Sequence, residues 1–251
     1  MTTELNRQPD QQAESVDEIP QSKSSGEVKL FVGILIAALV LVAVAVLPTL
    51  LNKIRAPHVE EVTTVPEKIT AALLIPQWSH IRGDISAPFT LVEFGDYQCP
   101  TCENAHNMVT EILKRFKDRI RLVYHHSQIN LGHHNAGTLA MAAAAADEQG
   151  KFWEMHDLLY KNQKSFETED KGAVLDELTR LAGDLKLDVL KFRSSLTGAA
   201  ARKAVAKQSD IGEKANIGGT PTFFFVPPSG KIKEVPFALL EKFLAKDANW
   251  K

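Results

Sequence analysis

The chain has 251 residues, of which 29 are basic and 31 acidic, giving a formal net charge of −2. This balance gives no reason to expect nucleic acid or another highly charged molecule as a partner. With only two cysteines, the chain is not a small scaffold held together by disulfides. Its length fits one globular domain with a membrane anchor.

The first 29 residues form a polar leader with six acidic and three basic side chains. The leader is rich in Gln, Glu and Ser and poor in aromatic residues. That composition is typical of segments that cannot bury enough apolar surface to fold. We therefore expect residues 1–29 to be a disordered tail.

Residues 30–52 carry no charge and are mostly Leu, Val, Ala and Ile, with Lys29 and Lys53 at the two ends. About 20 apolar residues cross a bilayer as a helix, which predicts one transmembrane helix over 30–52 and contact with lipid. A cleaved signal peptide is the alternative. Signal peptides begin with a short, positive segment and have shorter apolar cores, so the long acidic leader favours an uncleaved anchor.

The basic residues around this span do not set its orientation. Lys23 and Lys29 on one side are matched by Lys53 and Arg55 on the other. Residues 53–77 contain three prolines and mixed charges, which predicts a linker. The remaining residues, 78–251, are expected to form the globular domain.

The first part of this domain is predicted to be a β-α-β unit. Thr90–Phe94 has the composition of a buried strand, apolar residues at helical spacing follow Cys102, and Ile120–His125 is the next strand. Such units are right-handed, with parallel strands. Pro100 fits the first turn of the helix, because that position needs no N–H donor.

A helical segment and a β-hairpin are predicted to follow. Apolar spacing indicates helices over Ala136–Gln149 and Phe152–Gln163, around Val174–Leu185, and twice within Asp188–Lys214. A Pro-Pro-Ser-Gly turn then joins two β-prone runs, and a last helix closes the chain. These three elements are Thr222–Val226, Ile232–Val235 and Phe237–Ala245.

The two cysteines are three residues apart, as Cys99-Pro100-Thr101-Cys102. A disulfide that closes so short a loop stabilises a fold little. The spacing suits one thiolate that attacks and a second that resolves the mixed disulfide, and a helix N-terminus favours the thiolate of Cys99. Half of a zinc site is the alternative, but zinc needs about four ligands and there is no second cysteine pair.

Three segments in this order, LVEFGDYQCPTC, GKFWEMHDLLYKNQ and GGTPTFFF, resemble the DsbA-like thiol–disulfide oxidoreductases, in particular the membrane-anchored BdbD type. The resemblance covers roughly residues 81–251. It implies an α/β thioredoxin fold with an inserted helical domain, here at about 133–214. It also implies an enzyme that needs no cofactor.

The resemblance implies a role for each matching residue. Cys99 is then the attacking cysteine and Cys102 the resolving one of a redox-active disulfide. Pro221 is the cis-proline that faces them, and Thr220 before it lines the substrate groove. Glu93 corresponds to the buried acid that handles the proton of the resolving thiol. The residue pattern alone leaves open whether Glu93 is buried or faces solvent.

The dipeptide Pro100-Thr101, which the resemblance also places in the substrate groove, departs from the family pattern. DsbA itself has Pro-His between its cysteines. Thr101 cannot carry a positive charge, so one source of thiolate stabilisation is absent. We therefore expect a less oxidising pair than that of DsbA.

Four histidines stand close together in the sequence, at His125, His126, His133 and His134. Imidazoles are common metal ligands, so a metal site is one interpretation. We favour loop histidines that follow a strand, and we predict no metal.

The expected activity is exchange of the Cys99–Cys102 disulfide with cysteines of exported proteins. The oxidising direction is favoured, and a membrane redox partner must then reoxidise the pair. The alternatives are a reductase for cytochrome maturation or isomerisation, and a copper-handling module that uses both cysteines and a histidine. Disulfide donors work where glutathione does not keep thiols reduced. We therefore expect a bacterial membrane protein with a cytoplasmic N-terminus and a periplasmic or otherwise extracytoplasmic domain.

Overall fold

A computed structural model describes residues 29, 35–42, 61–128 and 132–246. Of the predicted membrane span 30–52, only 35–42 is described, and it is helical. The rest of that span, residues 1–28 of the predicted tail and residues 53–60 of the predicted linker lie outside the described residues. Within the described ranges no helix is long and apolar enough to cross a membrane. The chain divides into two units, Met1–His58 and Val59–Lys251.

The second unit is built on a six-stranded sheet with the strand order β1-β6-β5-β3-β4-β2. Strand β3 pairs in parallel with β4 and antiparallel with β5, so it lies in the middle of the sheet. The hairpin strands β5 and β6 pair antiparallel, as the sequence predicts. The strands are β1 Thr63–Thr64, β2 His80–Arg82, β3 Phe89–Gly95, β4 Ile120–His126, β5 Thr222–Val226 and β6 Lys233–Val235.

The helices follow the predicted order closely. Helix α2 connects β3 to β4, helices α3 to α7 form the insertion between β4 and β5, and α8 follows the hairpin. The α/β fold with a helical insertion is therefore confirmed. The helices are α1 Ala71–Leu74, α2 Pro100–Arg115, α3 Ala136–Asp147, α4 Phe152–Lys161, a 3-10 turn Gln163–Phe166, α5 Lys171–Asp184, α6 Val189–Leu196, α7 Ala199–Lys214 and α8 Phe237–Lys246.

Apolar side chains cover both faces of the central strand. Leu91 lies on the face where α2 and α8 pack, together with buried residues of those helices. Val92 and Phe94 point to the opposite face, where they meet Ile211 of α7 and Leu74 of α1. Successive side chains of a strand alternate between faces. A strand covered on both faces is therefore mostly apolar along its whole length, and the polar residues of β3 are Thr90 and Glu93.

The insertion has its own core, in which α3 is the central helix. The alanines of Ala142–Ala146 are all buried, and α3 contacts α4, α6 and α7. A helix that is apolar all round is suited to burial, and the small side chains allow the neighbouring helices to approach closely. This packing makes α3 the common partner of three other helices of the insertion.

The structure differs from the predicted linker in residues 61–77. Strand β1 pairs with β6, with Thr63 opposite Glu234, and Ile69 and Leu74 are buried in the core. Strand β2 likewise forms an unpredicted antiparallel edge beside β4. These elements are two to four residues long, so they are too short to show the periodicity by which helices and strands are recognised.

Candidate active site

The cysteine pair lies at the N-terminus of helix α2, directly after the central strand. Cys99 is the N-cap residue and has an extended backbone, and Pro100 follows in the first turn. The carbonyl oxygen of Cys99 accepts hydrogen bonds from the backbone N–H of Cys102 at 3.0 Å and of Glu103 at 3.2 Å. The first N–H groups of a helix have no partner within the helix. Here the backbone N–H groups of Thr101 and Cys102 favour the thiolate of Cys99 and lower its pKa.

The environment of Cys99 stabilises its thiolate. A hydrogen bond with the Cys102 side chain is the largest cause that lowers the Cys99 pKa, and it outweighs the opposing effect of burial. The Thr220 side chain and the backbone N–H groups of Cys102 and Thr101 lower it further, to about 5. The dipole of α2 acts in the same direction. Cys99 is therefore mostly ionised at neutral pH.

Cys102 has the opposite character. Its side chain has no exposed surface, and burial is the main cause that raises its pKa well above the usual range. The hydrogen bond and the negative charge of Cys99 raise it further, as does the charge of Glu93. Both cysteines are free thiols. The pair thus combines an ionised sulfur with a buried, protonated one.

Glu93 is buried beneath this pair, on the face of β3 that packs against α2. It is paired in the sheet with Tyr124 and Phe223, and only 1% of its surface is exposed. Its Oε1 has no hydrogen-bond partner. Burial, followed by the charge of Cys99, raises its pKa to about 8. Its carboxyl group therefore holds a proton at neutral pH, and its predicted role in proton transfer stays a prediction.

The loop before β5 lies against the sulfur of Cys99. The Thr220–Pro221 peptide bond is cis, and the Cys99 Sγ lies 3.3 Å from the carbonyl oxygen of Thr220, to which only the protonated thiol can donate. Pro100 and Thr101 are exposed at the helix N-terminus. The structure thus places the predicted groove residues around Cys99, while their binding of substrate stays a prediction.

The sequence of this domain matches that of a known protein family. The family model Thioredoxin_4, described as thioredoxin, matches residues 77–226. The chain belongs to this thioredoxin family. The matched range includes the cysteine pair, the insertion and strand β5.

Solved structures show the same fold as this thioredoxin-family chain. Oxidised BdbD from Bacillus subtilis is 22% identical, with a TM-score of 0.60, covering 76% of this chain and 98% of its own. A thioredoxin-like oxidoreductase from Silicibacter pomeroyi DSS-3 is 25% identical, with a TM-score of 0.55 and coverages of 72% and 99%. Alpha-DsbA1 from Wolbachia pipientis is 18% identical, with a TM-score of 0.60 and coverages of 70% and 93%. These likenesses show that the chain has the same fold as these proteins.

Curated relatives of the chain are much longer proteins. A Na(+)/H(+) antiporter NhaA from Salinispora tropica is 38% identical over 149 residues, which are 59% of this chain and 22% of the antiporter. A second NhaA, from Herminiimonas arsenicoxydans, is 31% identical over 194 residues, or 77% and 29% of the two chains. The chain therefore spans between a fifth and a third of the length of these relatives.

Asp96 stabilises the loop between β3 and α2, a role that the sequence analysis does not assign to it. Its Oδ1 accepts from the backbone N–H of Gln98 at 2.8 Å, and its backbone carbonyl accepts from that of Cys99 at 3.1 Å. Its Oδ2 lies 2.8 Å from Nδ1 of His133. An Asp that bonds the N–H two residues on is a common turn former. An Asp directly after a predicted strand is the sequence feature that indicates such a turn.

The predicted histidine cluster does not form one site. His125 and His126 belong to strand β4 and are buried. The strand predicted over Ile120–His125 is confirmed and extends one residue further, so the assignment of these two histidines to a loop is wrong. His125 Nε2 lies 2.9 Å from the Leu74 carbonyl oxygen, and burial lowers its pKa to about 4. His133 instead contacts Asp96.

A different group of side chains approaches the geometry of a metal site. Among the described residues, it is formed by His106, His156 and Asp157 and contains neither cysteine. The guanidinium of Arg82 binds both oxygens of Asp157 at 2.8 Å. A bidentate Arg–carboxylate pair already supplies the positive charge that a metal would bring, so we assign this group to an ion-pair network. Its composition gives no support to a copper site that combines the cysteines with a histidine.

Proposed function

We propose that the chain is a membrane-anchored thiol–disulfide oxidoreductase that oxidises cysteines of exported proteins. The observation that carries the proposal is the contrast between Cys99, whose pKa is lowered to about 5, and the buried Cys102, whose pKa is raised. A stabilised thiolate favours the reduced form of the pair, and this makes the disulfide form a better oxidant. The reductase alternative requires a pair without this stabilisation.

In the first step a substrate thiolate attacks Cys99 Sγ of the oxidised pair. A bond forms between the substrate sulfur and Cys99, the Cys99–Cys102 bond breaks, and Cys102 leaves with the electron pair. Glu93 is protonated at neutral pH because of its raised pKa, so it can supply the proton that the Cys102 thiolate takes up. Burial strongly favours the neutral thiol at that position.

In the second step another substrate thiolate attacks the substrate sulfur of the mixed disulfide. The substrate disulfide forms and Cys99 leaves as a thiolate, which is a good leaving group because its pKa is low. Two electrons have then passed from the substrate to the cysteine pair. A membrane redox partner must remove them, since the chain has no further cysteines.

The direct test is an oxidase assay with the full chain. The oxidised protein is mixed with a reduced, unfolded substrate, and we expect faster disulfide formation than without the protein. Cys99→Ser is expected to abolish the acceleration, because Cys99 alone forms the bond to substrate. Retention of wild-type activity by Cys99→Ser would remove the basis of the proposal.

The location of the domain has a separate test. The 23 uncharged residues of the span 30–52 support an anchor, and oxidase chemistry requires an oxidising compartment. A reporter fused after Lys251 is expected to be active only if it functions outside the cytoplasm. Activity of a reporter that works only in the cytoplasm would contradict both the orientation and the oxidase assignment.

The antiporter relatives suggest one candidate partner. In them a stretch of 149 to 194 residues that resembles this chain is part of a longer protein named as a Na(+)/H(+) antiporter. We infer that a membrane transporter with cysteines exposed outside the cytoplasm is a candidate client. A mixed disulfide between such a transporter and the Cys102→Ser protein would support this client, and its absence under conditions that trap other clients would argue against it.

A further inference from the structure

Gln163 is a buried amide that reaches from the helical insertion to the cysteine loop. It is the first residue of the 3-10 turn after α4, and 3% of its surface is exposed. A buried amide costs free energy unless its donors and acceptors find partners. The hydrogen-bond partners of Gln163 therefore indicate the role of its side chain.

Within the described part of the chain, the Gln163 side-chain nitrogen donates two hydrogen bonds, and both go to the backbone beside the Cys99 sulfur. Its Nε2 donates to the carbonyl oxygen of Tyr97 at 2.9 Å and to that of Cys99 at 3.0 Å. An amide nitrogen has two donors in one plane. One rigid group thus fixes two carbonyls, one at the N-cap of α2 and one two residues before it.

The orientation of these peptide groups controls the stabilisation of the Cys99 thiolate. The N–H groups of Thr101 and Cys102 lower the Cys99 pKa, and the carbonyl that Gln163 binds belongs to the Cys99–Pro100 peptide just before them. The same carbonyl also accepts from Cys102 and Glu103. A hydrogen bond weakens steeply with its angle, so a shift at the N-cap changes how these N–H groups point at the sulfur.

We propose that Gln163 is a positioning residue for Cys99, through which the insertion holds the first turn of α2 in the geometry that stabilises the thiolate. The proposal rests on the proposed thiol chemistry of Cys99. The opposing interpretation is that Gln163 only fills space and contributes to folding. The two differ in a measurable way, because a space-filling residue affects stability without altering the acidity of Cys99.

The adjacent residue provides a matched control. Asn162 also carries an amide, but its Nδ2 donates to the carbonyl oxygen of Leu158 at 2.8 Å, within its own helix. Asn162→Ala therefore removes an amide donor at the neighbouring position without touching the cysteine loop. Gln163→Met keeps the length of the side chain and removes both donors. Gln163→Asn keeps the amide but is too short to reach both carbonyls.

The Cys99 pKa is measured from thiolate absorbance in the reduced, full-length chain. The reduction potential is measured by equilibrating the full-length chain with glutathione. We expect Gln163→Met to raise the Cys99 pKa by about one unit and to make the potential more negative. Gln163→Asn should show a smaller change of the same sign, and Asn162→Ala no change in either quantity. The chain has only two cysteines, so the absorbance belongs to this pair.

Unchanged pKa and potential in folded Gln163→Met would overturn the proposal. If that variant does not fold, the same result in folded Gln163→Asn would overturn it. Neither measurement needs a substrate. A wild-type protein that fails in the oxidase assay would therefore refute the proposed function separately, and the comparison of Cys99 pKa values would still decide the role of Gln163.

Discussion

The sulfur of Cys99 lies 3.3 Å from the carbonyl oxygen of Thr220, although 121 residues separate the two in the chain. The contact joins the N-terminus of α2 to the loop before β5, across the whole helical insertion. A substrate sulfur that reaches Cys99 must therefore approach beside Thr220. Cys102, which has no exposed surface, cannot be reached from outside. This geometry supports the proposed roles, in which Cys99 attacks and Cys102 resolves.

Replacing Cys102 should trap the first intermediate of the reaction. In Cys102→Ser the remaining thiol, Cys99, can still form a mixed disulfide with another protein, but no internal thiol is available to resolve it. We expect covalent adducts through Cys99 to accumulate on non-reducing gels and to disappear with a reductant. The variant Cys99→Ser, which keeps Cys102 as its only cysteine, is the control. Adducts of equal amount in that control would contradict the assignment of Cys99.

Glu93→Gln should stabilise the protein, and more so at higher pH. The pKa of Glu93 is about 8 in the folded protein against an ordinary 4.5. Its contribution is therefore fully present below pH 4.5 and is lost as the pH rises through 8. We expect the variant to gain about 2–4 kcal/mol in free energy of unfolding at pH 8 and much less at pH 5.

Denaturant unfolding of the reduced protein at the two pH values measures this difference. Glu111→Gln serves as a control, because Glu111 is exposed and pairs only with the exposed Lys114. Surface pairs of this kind contribute little, so that variant should show no such pH dependence. An equal change for both variants at both pH values would show that Glu93 is not a buried acid.

The sequence predicted the long helices and strands better than the short ones. It also predicted the cysteine pair better than the residues that surround the pair. The composition of a buried strand indicates β3, and apolar residues at helical spacing indicate α2. Strand β2 is too short for either signal. The alternation of β3 places Glu93 on the face opposite Val92, but only the packing of α2 shows that this face is covered. Nothing in the sequence indicates which carbonyl the Gln163 amide reaches, because that depends on the meeting of two distant segments.

Acid should destabilise the protein through His125. Its pKa is lowered to about 4 in the folded state, mainly by burial, whereas the unfolded chain binds the proton near pH 6.5. Stability is therefore lost as the pH falls from about 6.5 to 4. Replacing His125 with Gln keeps an amide donor for the Leu74 carbonyl and removes the titration.

We expect the free energy of unfolding of the wild type to fall by about 1–3 kcal/mol more than that of His125→Gln between pH 7 and pH 4. His134→Gln is the matched control, since the His134 ring is exposed. Parallel pH profiles for the wild type and His125→Gln would show that this histidine does not titrate on unfolding.

The reduction potential of the Cys99–Cys102 pair tests the oxidase assignment most directly. The lowered pKa of Cys99 favours an oxidant, while Thr101 adds no positive charge beside it. Equilibration of the full chain with glutathione should give a potential between about −120 mV, the value of DsbA, and about −270 mV, that of thioredoxin. A potential at or below that of thioredoxin would contradict the account and identify the chain as a reductase.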